Sequence, residues 1–104
     1  SSVTYMQSMF YGTDTFNQPI GTWVTSSVTN MRTMFWKAAA FNQNIGSWDT
    51  SSVTTMHWML REAVAFNQNL SNWNVGLVTD CTGFGSLVSG WTMAKPVFTE
   101  CSPD

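Results

Sequence analysis

The sequence repeats itself with a period of 25 residues, and this period restricts the possible folds more than any other feature. Large apolar residues recur at this step without an insertion, beginning with Trp23, Trp48 and Trp73. The other series on the same step are Phe16, Phe41 and Phe66; Val3, Val28, Val53 and Val78; Met6, Met31 and Met56; and Met9, Met34 and Met59. Repeat units of this length bury their apolar side only against neighbouring units. We therefore predict an α/β solenoid in which residues one period apart stack in columns.

Each unit is predicted to combine a short helix with a short extended segment. The apolar residues of one stripe are Val28, Met31, Met34, Phe35 and Ala38. Their spacing predicts a helix over about 28–38 and its equivalent over about 53–63. The serine pairs at 26–27 and 51–52 are predicted N-caps, and Asp49 is expected to support a helix N-terminus. The stretch "NQNIGSW" is too short for another helix and predicts a brief strand or extended turn around 44–47, with Ile45 inward.

The chain is predicted to form one domain with two parts. Residues 1–80 are the repeat solenoid, with units at about 1–25, 26–50 and 51–75. Residues 76–104 are a modified fourth copy, which keeps Val78 and Thr79 but places Cys81 and Phe84 at the two methionine positions. A terminal unit has no following neighbour, so we expect this copy to cap the solenoid.

The chain has two cysteines, Cys81 and Cys101, and both lie in the fourth copy. A disulfide between them closes a loop of about 20 residues and is expected to stabilise the fold by about 3 kcal/mol. The alternatives are two free thiols in a cytosolic protein, or half of a metal site to which only His57 could add a ligand. The disulfide is the preferred prediction, and it implies an oxidising, extracellular setting.

Composition and motifs exclude several classes of function. Charged residues make up 10% of the chain and the formal net charge is −2, so there is no basic field for nucleic acid. No apolar run is long enough to insert in a membrane as a helix. The acidic residues occupy different repeat positions, His57 has no evident catalytic partner, and the sequence contains neither a phosphate-binding loop nor a nucleophile elbow. We therefore expect neither an enzyme, nor a metal site, nor a bound cofactor.

Several surface residues are candidate binding or modification sites. Asn69-Leu70-Ser71 is an N-glycosylation sequon. Tyr11, Trp36 and Trp58 break the methionine spacing and are expected to point outward as a possible protein or sugar contact, although Trp58 does not share the repeat position of the other two. The Asn-Gln pairs at 17–18, 42–43 and 67–68 form amide columns. These columns are predicted to satisfy the turns of neighbouring units, and glycan binding is the alternative.

The repeat resembles that of a known family. "FNQNIGSWDTSSVTTM" and "SSVTNMRTMF" are similar to the recurring unit of the BspA-like leucine-rich-repeat surface proteins, and the similarity runs from Ser1 to about Cys81. Met59-Leu60 and Leu70-Ser71 depart from the family pattern and keep its apolar anchors. The resemblance implies a leucine-rich-repeat-like solenoid on a secreted or surface-anchored protein, either with a role in adhesion or without a known function, and it implies no catalytic residues.

Two functional hypotheses follow for a non-catalytic extracellular chain. In the first, the chain is an adhesin-like module that presents a lateral face to a protein or glycan ligand. In the second, it is a structural subunit that self-associates end to end, because the first unit has no predicted cap and its apolar end needs a cover unless the chain is a fragment of a longer array. Head-to-tail contact of this kind propagates as a fibre unless its rotation closes a ring.

Overall fold

Successive 25-residue units lie next to one another in the computed structural model, which describes residues 3–103. Parallel bridges join equivalent residues of neighbouring units and are Tyr5↔Asn30, Asn30↔Thr55 and Thr55↔Asp80. Ser1 and Ser2 at the start of the first unit, and Asp104 at the end of the fourth copy, lie outside the described residues. Tyr5, Asn30, Thr55 and Asp80 therefore each lie beside a residue one period away.

The helices predicted over 28–38 and 53–63 are not formed. Residues 3–103 contain turns, bends and the three isolated bridges, but no α-helix and no longer strand. The strand predicted around 44–47 is absent as well, and a turn occupies 46–47. Ile45 nevertheless points inward, as predicted, and is fully buried.

The backbone hydrogen bonds explain why an apolar stripe with helical spacing forms no helix. In the second unit, the amides of alternate residues donate to carbonyls of the third unit, with Thr33 bonded to His57 at 2.8 Å and Phe35 bonded to Met59 at 2.8 Å. The amides between them close four-residue β-turns, as in the bond from the amide of Trp36 to the carbonyl of Thr33 at 3.2 Å. Residues three apart thus share a side, as in a helix. An α-helix would consume these amides within its own segment and leave none for the neighbouring unit.

Two backbone positions in each unit have left-handed dihedral angles. One is occupied by Ser8, Thr33, Trp58 and Gly83, and the other by Gly12, Lys37, Glu62 and Leu87. All eight φ angles lie between 53° and 70°. This region is incompatible with an α-helix and costs energy for side chains other than glycine. The repeated use of the same two positions shows that they set the path of the chain in every unit.

Aromatic columns fill the interior between units. The rings of Trp23 and Trp48 lie 6.5 Å apart, those of Trp48 and Trp73 lie 6.4 Å apart, and the planes within each pair differ by 8° and 3°. The indole N–H of Trp48 donates to the carbonyl of Ile20 at 3.0 Å, and that of Trp73 donates to the carbonyl of Ile45 at 2.9 Å. Trp48 and Trp73 therefore each pack on a counterpart and also hydrogen-bond to the preceding unit.

The amide columns satisfy the turns of neighbouring units, as predicted. The side-chain oxygen of Asn17 accepts from the backbone amide of Asn42 at 2.9 Å, and the side-chain oxygen of Asn42 accepts from the amide of Asn67 at 2.9 Å. Gln43 and Gln68 donate to the same two oxygens at 3.0 Å. These amides thus have a structural use, and the glycan-binding alternative gains no support from their geometry.

The serine pairs and Asp49 do not cap helices, because there are no helices to cap. The carboxylate of Asp49 instead accepts from the backbone amide and the hydroxyl of Ser51, which closes a tight turn. These two hydrogen bonds, the hydroxyl first, hold the pKa of Asp49 below its ordinary value, although burial opposes the shift. Partial burial raises the pKa of Asp80, but hydrogen bonds from Thr82 and His57 outweigh it and hold this pKa below its ordinary value as well.

The lowered pKa values of Asp49 and Asp80 predict a loss of stability in acid. A carboxyl group whose pKa is lower in the folded state stabilises the fold above its unfolded pKa, which is 3.8 for these residues. This contribution disappears as the pH falls through the folded value. We expect the urea midpoint to stay level from about pH 7 to about pH 5 and to fall below about pH 4. The urea midpoint of the double variant Asp49→Asn/Asp80→Asn should fall less steeply with decreasing pH. A midpoint that falls as steeply as that of the parent chain would contradict the role given to these two carboxylates.

The fourth copy ends in a tail that folds back over it. Cys81 and Cys101 form a disulfide, and the ring of Phe98 contacts the ring of Phe84 at 5.1 Å. Cys81 and Phe84 are buried, as Met31 and Met34 are at the same positions of the second unit. The tail thus covers the apolar side of the last unit. No helix within residues 3–103 has the length and apolarity to cross a membrane.

A lateral aromatic row as candidate functional site

Tyr11, Trp36 and Trp58 lie together on one lateral surface, which we call the aromatic row. The rings of Tyr11 and Trp36 stack with centroids 4.6 Å apart, and the rings of Trp36 and Trp58 meet edge to face at 4.9 Å. The side chain of Tyr11 is 47% exposed, and Trp36 and Trp58 are half-buried. The structure therefore brings together the three aromatic residues that the sequence suggested as a contact surface.

The repeat register positions the first two members of the row. Tyr11 and Trp36 occupy the same position in successive units, between the two left-handed residues of each unit. The amide of Trp36 closes a turn with Thr33, and the carbonyl of Trp36 accepts from the amide of Gly12 at 2.8 Å. The hydrogen bond to the first unit places the Trp36 ring directly beside Tyr11.

Trp58 joins the row from a different repeat position. It has a left-handed φ of 53°, which is uncommon for a bulky side chain. Its ring lies over Gly83, where a Cβ atom would come within 2.8 Å of the indole. Glycine at position 83 therefore leaves the space that the ring of Trp58 occupies, and this allows the ring to reach the edge of Trp36.

Two cations and one carboxylate flank the row. The guanidinium of Arg61 lies 4.4 Å from the centroid of the Trp58 ring, and the ammonium of Lys37 lies 5.3 Å from that of Trp36. Glu62 accepts from the indole N–H of Trp36 at 3.4 Å. Arg61 also donates to the hydroxyl of Ser86 at 3.2 Å, which fixes its head group beside the row.

Sequence reasoning missed Arg61, Lys37, Glu62 and Gly83 as parts of this surface. The 25-residue period could have identified Arg61, because Arg61 occupies in the third unit the position that Tyr11 and Trp36 occupy in the first two. Lys37 and Glu62 could have been found in the same way, since they share the next position of the repeat. The contact of Trp58 with Trp36 had no such indication, because it depends on the left-handed backbone at Trp58.

The stacking of the row determines which parts of the rings face outward. Tyr11 covers one side of the Trp36 ring, and Trp58 and Lys37 lie against the same ring system. Stacking on Tyr11 therefore leaves less of the Trp36 ring face free for a ligand. Aromatic rings beside two cations suit apolar groups and oxygen acceptors.

Asn69 lies elsewhere on the surface, and the structure places it in a polar groove. The groove has a volume of about 330 Å³ and is lined by Asn44, Gly46, Ser47, Gln68, Asn69, Asn72 and Met93. The exposed side chain of Asn69 accepts from the amide and the hydroxyl of Ser71 at 2.9 and 2.7 Å. The amide nitrogen of Asn69, to which a glycan would be attached, makes no hydrogen bond with residues 3–103.

His57 belongs to a small ionic group next to the row. Its Nδ1 atom lies 3.3 Å from a carboxylate oxygen of Asp80, and Arg32 lies 3.9 Å from the other oxygen of that carboxylate. The ring of His57 also stacks on Trp58 at 5.2 Å. Among residues 3–103, no group of three or more His, Cys, Asp or Glu side chains could hold a metal ion.

Comparison with known proteins yields one match. A family model described as "Mycoplasma protein of unknown function, DUF285" matches residues 1–92. The matched region contains the three repeat units, the whole aromatic row and the first cysteine. No curated protein and no solved structure matches the chain.

Proposed function

The chain belongs to the DUF285 family, whose function is unknown, and we propose that it is a non-catalytic, adhesin-like interaction module of the BspA-like type. In this proposal the chain is a leucine-rich-repeat-like solenoid that acts outside the cell and binds a protein partner. The observation that carries the proposal is the aromatic row, in which three aromatic side chains and two cations meet on one lateral surface.

The bridges and the columns support a solenoid architecture. Residues one period apart pair through the backbone along three successive interfaces, and the tryptophan rings repeat at 6.5 and 6.4 Å. An array of this kind displays residues at one repeat position as a line on its lateral surface. Such a line can carry a binding site without any pocket, which agrees with the exposed position of Tyr11.

The chemistry of the row favours a protein over a glycan as the ligand. Sugar rings pack on free aromatic faces, whereas Trp36 stacks on Tyr11 and has the ammonium of Lys37 over its ring at 5.3 Å. Aromatic residues and arginine are enriched in protein interfaces, where they carry much of the binding energy. Lys37 and Arg61 outnumber Glu62 beside the row, so the partner surface is expected to contain carboxylate or carbonyl oxygens next to an apolar patch.

The disulfide supports the extracellular location that we propose. Disulfides persist in oxidising compartments and are rare in the cytosol. The bond between Cys81 and Cys101 ties the tail to the fourth copy.

A peptide selection tests the row as a protein-binding surface. A random peptide library displayed on phage is selected against the immobilised protein, and an array of glycans is probed in parallel. We expect enriched peptides that contain acidic and apolar residues. Tyr11→Ala and Trp58→Ala should each weaken their binding at least about tenfold, because central interface residues contribute about 1 to 4 kcal/mol.

Leu77→Ser is the matched control for this selection. Leu77 is exposed and apolar, and serine occupies its position in the preceding units, as Ser27 and Ser52. This variant should bind the selected peptides as tightly as the parent chain. Selected peptides that bind the Tyr11→Ala and Trp58→Ala variants as tightly as the parent chain would contradict the proposed surface. Binding to the glycan array without binding to any peptide would show that the ligand is a glycan and not a protein.

A further inference from the structure

The polar groove around Asn69 is separate from the aromatic row, and we call it the amide groove. Its volume of about 330 Å³ lies at the lower end of the range of small-molecule sites, which is about 300 to 1,000 Å³. Its lining residues come from the second unit, the third unit and the fourth copy, and none of them belongs to the row. Four of them carry side-chain amides, namely Asn44, Gln68, Asn69 and Asn72.

The backbone fixes the orientation of two of these amides. The side-chain oxygen of Asn44 accepts from the backbone amide of Gly46 at 2.9 Å, and that of Asn69 accepts from the backbone amide of Ser71 at 2.9 Å. A backbone N–H group donates to the oxygen of a side-chain amide, so these bonds also establish which atom is the nitrogen. The NH2 groups of Asn44 and Asn69 therefore face away from their turns, and neither donates a hydrogen bond to a residue within 3–103.

Gln68 and Asn72 add an acceptor and a further amide. The NH2 group of Gln68 donates to the side-chain oxygen of Asn42 at 3.0 Å, so the oxygen of Gln68 is the atom that the amide column leaves unused. The side chain of Asn72 is exposed and makes no hydrogen bond with the described part of the chain. The hydroxyl of Ser47 donates to the carbonyl of Gly21 at 3.2 Å and keeps its own lone pairs. Donors and acceptors therefore lie side by side in the groove.

The repeat brings these groups close together. Asn44 and Asn69 occupy the same repeat position, and so do Ser47 and Asn72. The units approach closely here because residue 46 is a glycine, since a Cβ atom at Gly46 would lie 2.7 Å from the carbonyl oxygen of Asn69. The two free NH2 groups are thus held on neighbouring units before any ligand arrives.

Met93 supplies an apolar side chain at the edge of the groove. Its backbone amide donates to the side-chain oxygen of Asn67 at 3.0 Å, and the carbonyl of Ala94 accepts from the amide of Leu70 at 2.8 Å. The side chain of Met93 is 45% exposed. Its thioether is flexible and polarizable, so it can pack on the C–H groups of a ligand.

This combination of groups suits a neutral saccharide. A sugar hydroxyl both donates and accepts, so it can pair with an NH2 group and with an amide oxygen, while the C–H groups of the sugar ring pack on Met93. A phosphate or carboxylate ligand is bound best by a cationic side chain, and a calcium or magnesium ion is bound by carboxylates. The described residues that line the groove include no charged side chain of either sign.

We propose that the amide groove binds a neutral saccharide of one or two rings. Asn44 and Asn69 donate to its hydroxyls, Gln68 accepts from them, and Asn72 completes the contact. This activity goes beyond the protein binding proposed for the aromatic row and does not rest on it. A small ligand in an open groove binds weakly, so the expected Kd is about 1 mM.

Nuclear magnetic resonance of the isotope-labelled chain, produced without N-glycosylation, tests this proposal. The methyl glycosides of glucose, galactose, mannose and N-acetylglucosamine are titrated one at a time. We expect at least one of them to shift the side-chain NH2 signals of Asn44, Asn69 and Asn72 with a Kd of about 1 mM. The indole N–H signals of Trp36 and Trp58 should not move.

The variant Asn44→Asp/Asn69→Asp removes both donors and keeps both turns, because one carboxylate oxygen still accepts from the backbone amide. We expect the saccharide to bind at least about tenfold more weakly. Asn74→Asp is the matched control, since Asn74 closes the same kind of turn with Gly76 at 3.0 Å and does not line the groove. It should bind as the parent chain does. Asn72→Ala should weaken binding at least about threefold.

Several results would overturn the proposal. These are the absence of shifts at the groove amides with all four saccharides, an affinity that Asn44→Asp/Asn69→Asp leaves unchanged, and an equal loss in Asn74→Asp. If the double variant does not fold, Asn72→Ala takes its place, and full affinity of that variant overturns the proposal. Tyr11→Ala and Trp58→Ala should weaken the selected peptides and leave saccharide binding unchanged, so failure of the row and failure of the groove are distinguishable.

Discussion

Phe41→Ala is expected to lower the free energy of unfolding by about 3 to 5 kcal/mol, because it removes a buried ring from the middle of a column. The ring of Phe41 is fully buried and stacks on Phe16 at 5.9 Å, on Phe66 at 5.8 Å and on Phe35 at 4.1 Å. A domain of this length has a total stability of about 5 to 15 kcal/mol, so the loss is a large part of the whole. Urea unfolding followed by tryptophan fluorescence measures it.

Phe16→Ala is the matched control for this substitution. Phe16 belongs to the same column, but it lies in the first unit, has a neighbouring unit on one side and is partly buried. We expect about half of the effect of Phe41→Ala, because less apolar surface leaves water when the ring packs. Equal losses at the two positions would contradict the arrangement in which units are buried between neighbours.

Loss of the disulfide is expected to lower the free energy of unfolding by about 3 kcal/mol. The bond spans 20 residues and ties the tail to the last unit, so its removal frees this loop in the unfolded chain and loosens the tail in the folded one. Cys101→Ser under oxidising conditions should therefore match the parent chain under reducing conditions. Denaturant titrations of both proteins, with and without reductant, provide the measurement.

Cys101→Ser itself supplies the control for the disulfide experiment. Reductant should leave its stability unchanged, since it has no bond to lose. The prediction would be contradicted if the denaturant midpoint of the parent chain did not change on reduction. Thiol titration must show in this case that both cysteines are reduced.

The period of the sequence predicted which residues meet in space. Trp48 lies between Trp23 and Trp73, and Asn42 lies between Asn17 and Asn67, as equal spacing requires. These contacts could be predicted because repetition links positions far apart in the chain without any knowledge of the local conformation. The same register also locates the residues that surround Trp36.

The local conformation could not be predicted from the apolar spacing. Methionines at 31 and 34 share a side in an α-helix and also in a series of β-turns, so the apolar stripe does not distinguish the two conformations. The two conformations differ in the hydrogen bonds of the backbone amides. Here, successive amides donate alternately to a carbonyl of the same unit and to a carbonyl of the neighbouring unit. The two conformations also differ at the residues with left-handed dihedral angles. Thr33 and Trp58 are residue types that rarely adopt such angles, so the sequence gives no indication of a left-handed conformation there.

Part of the candidate site could be predicted and part could not. Tyr11 and Trp36 share a repeat position, so their contact follows from the period. Trp58 reaches the row only because its backbone is left-handed and position 83 is a glycine. The disulfide could be proposed from the two cysteines, whereas the path of the tail over the fourth copy depends on contacts without a repeat pattern, such as that between Phe98 and Phe84.

Insertion of one additional unit tests the central claim of a solenoid most directly. A second copy of residues 26–50 is placed between Thr50 and Ser51, and insertion of residues 26–37 alone serves as the out-of-register control. In a stack of units, the full insertion adds one more interface of the same kind. The predicted result is a folded, more stable chain whose denaturant slope increases by about a quarter, while the half-period insertion loses most of its stability. A full insertion that unfolds the chain, or that is no better tolerated than the half-period one, would contradict the account.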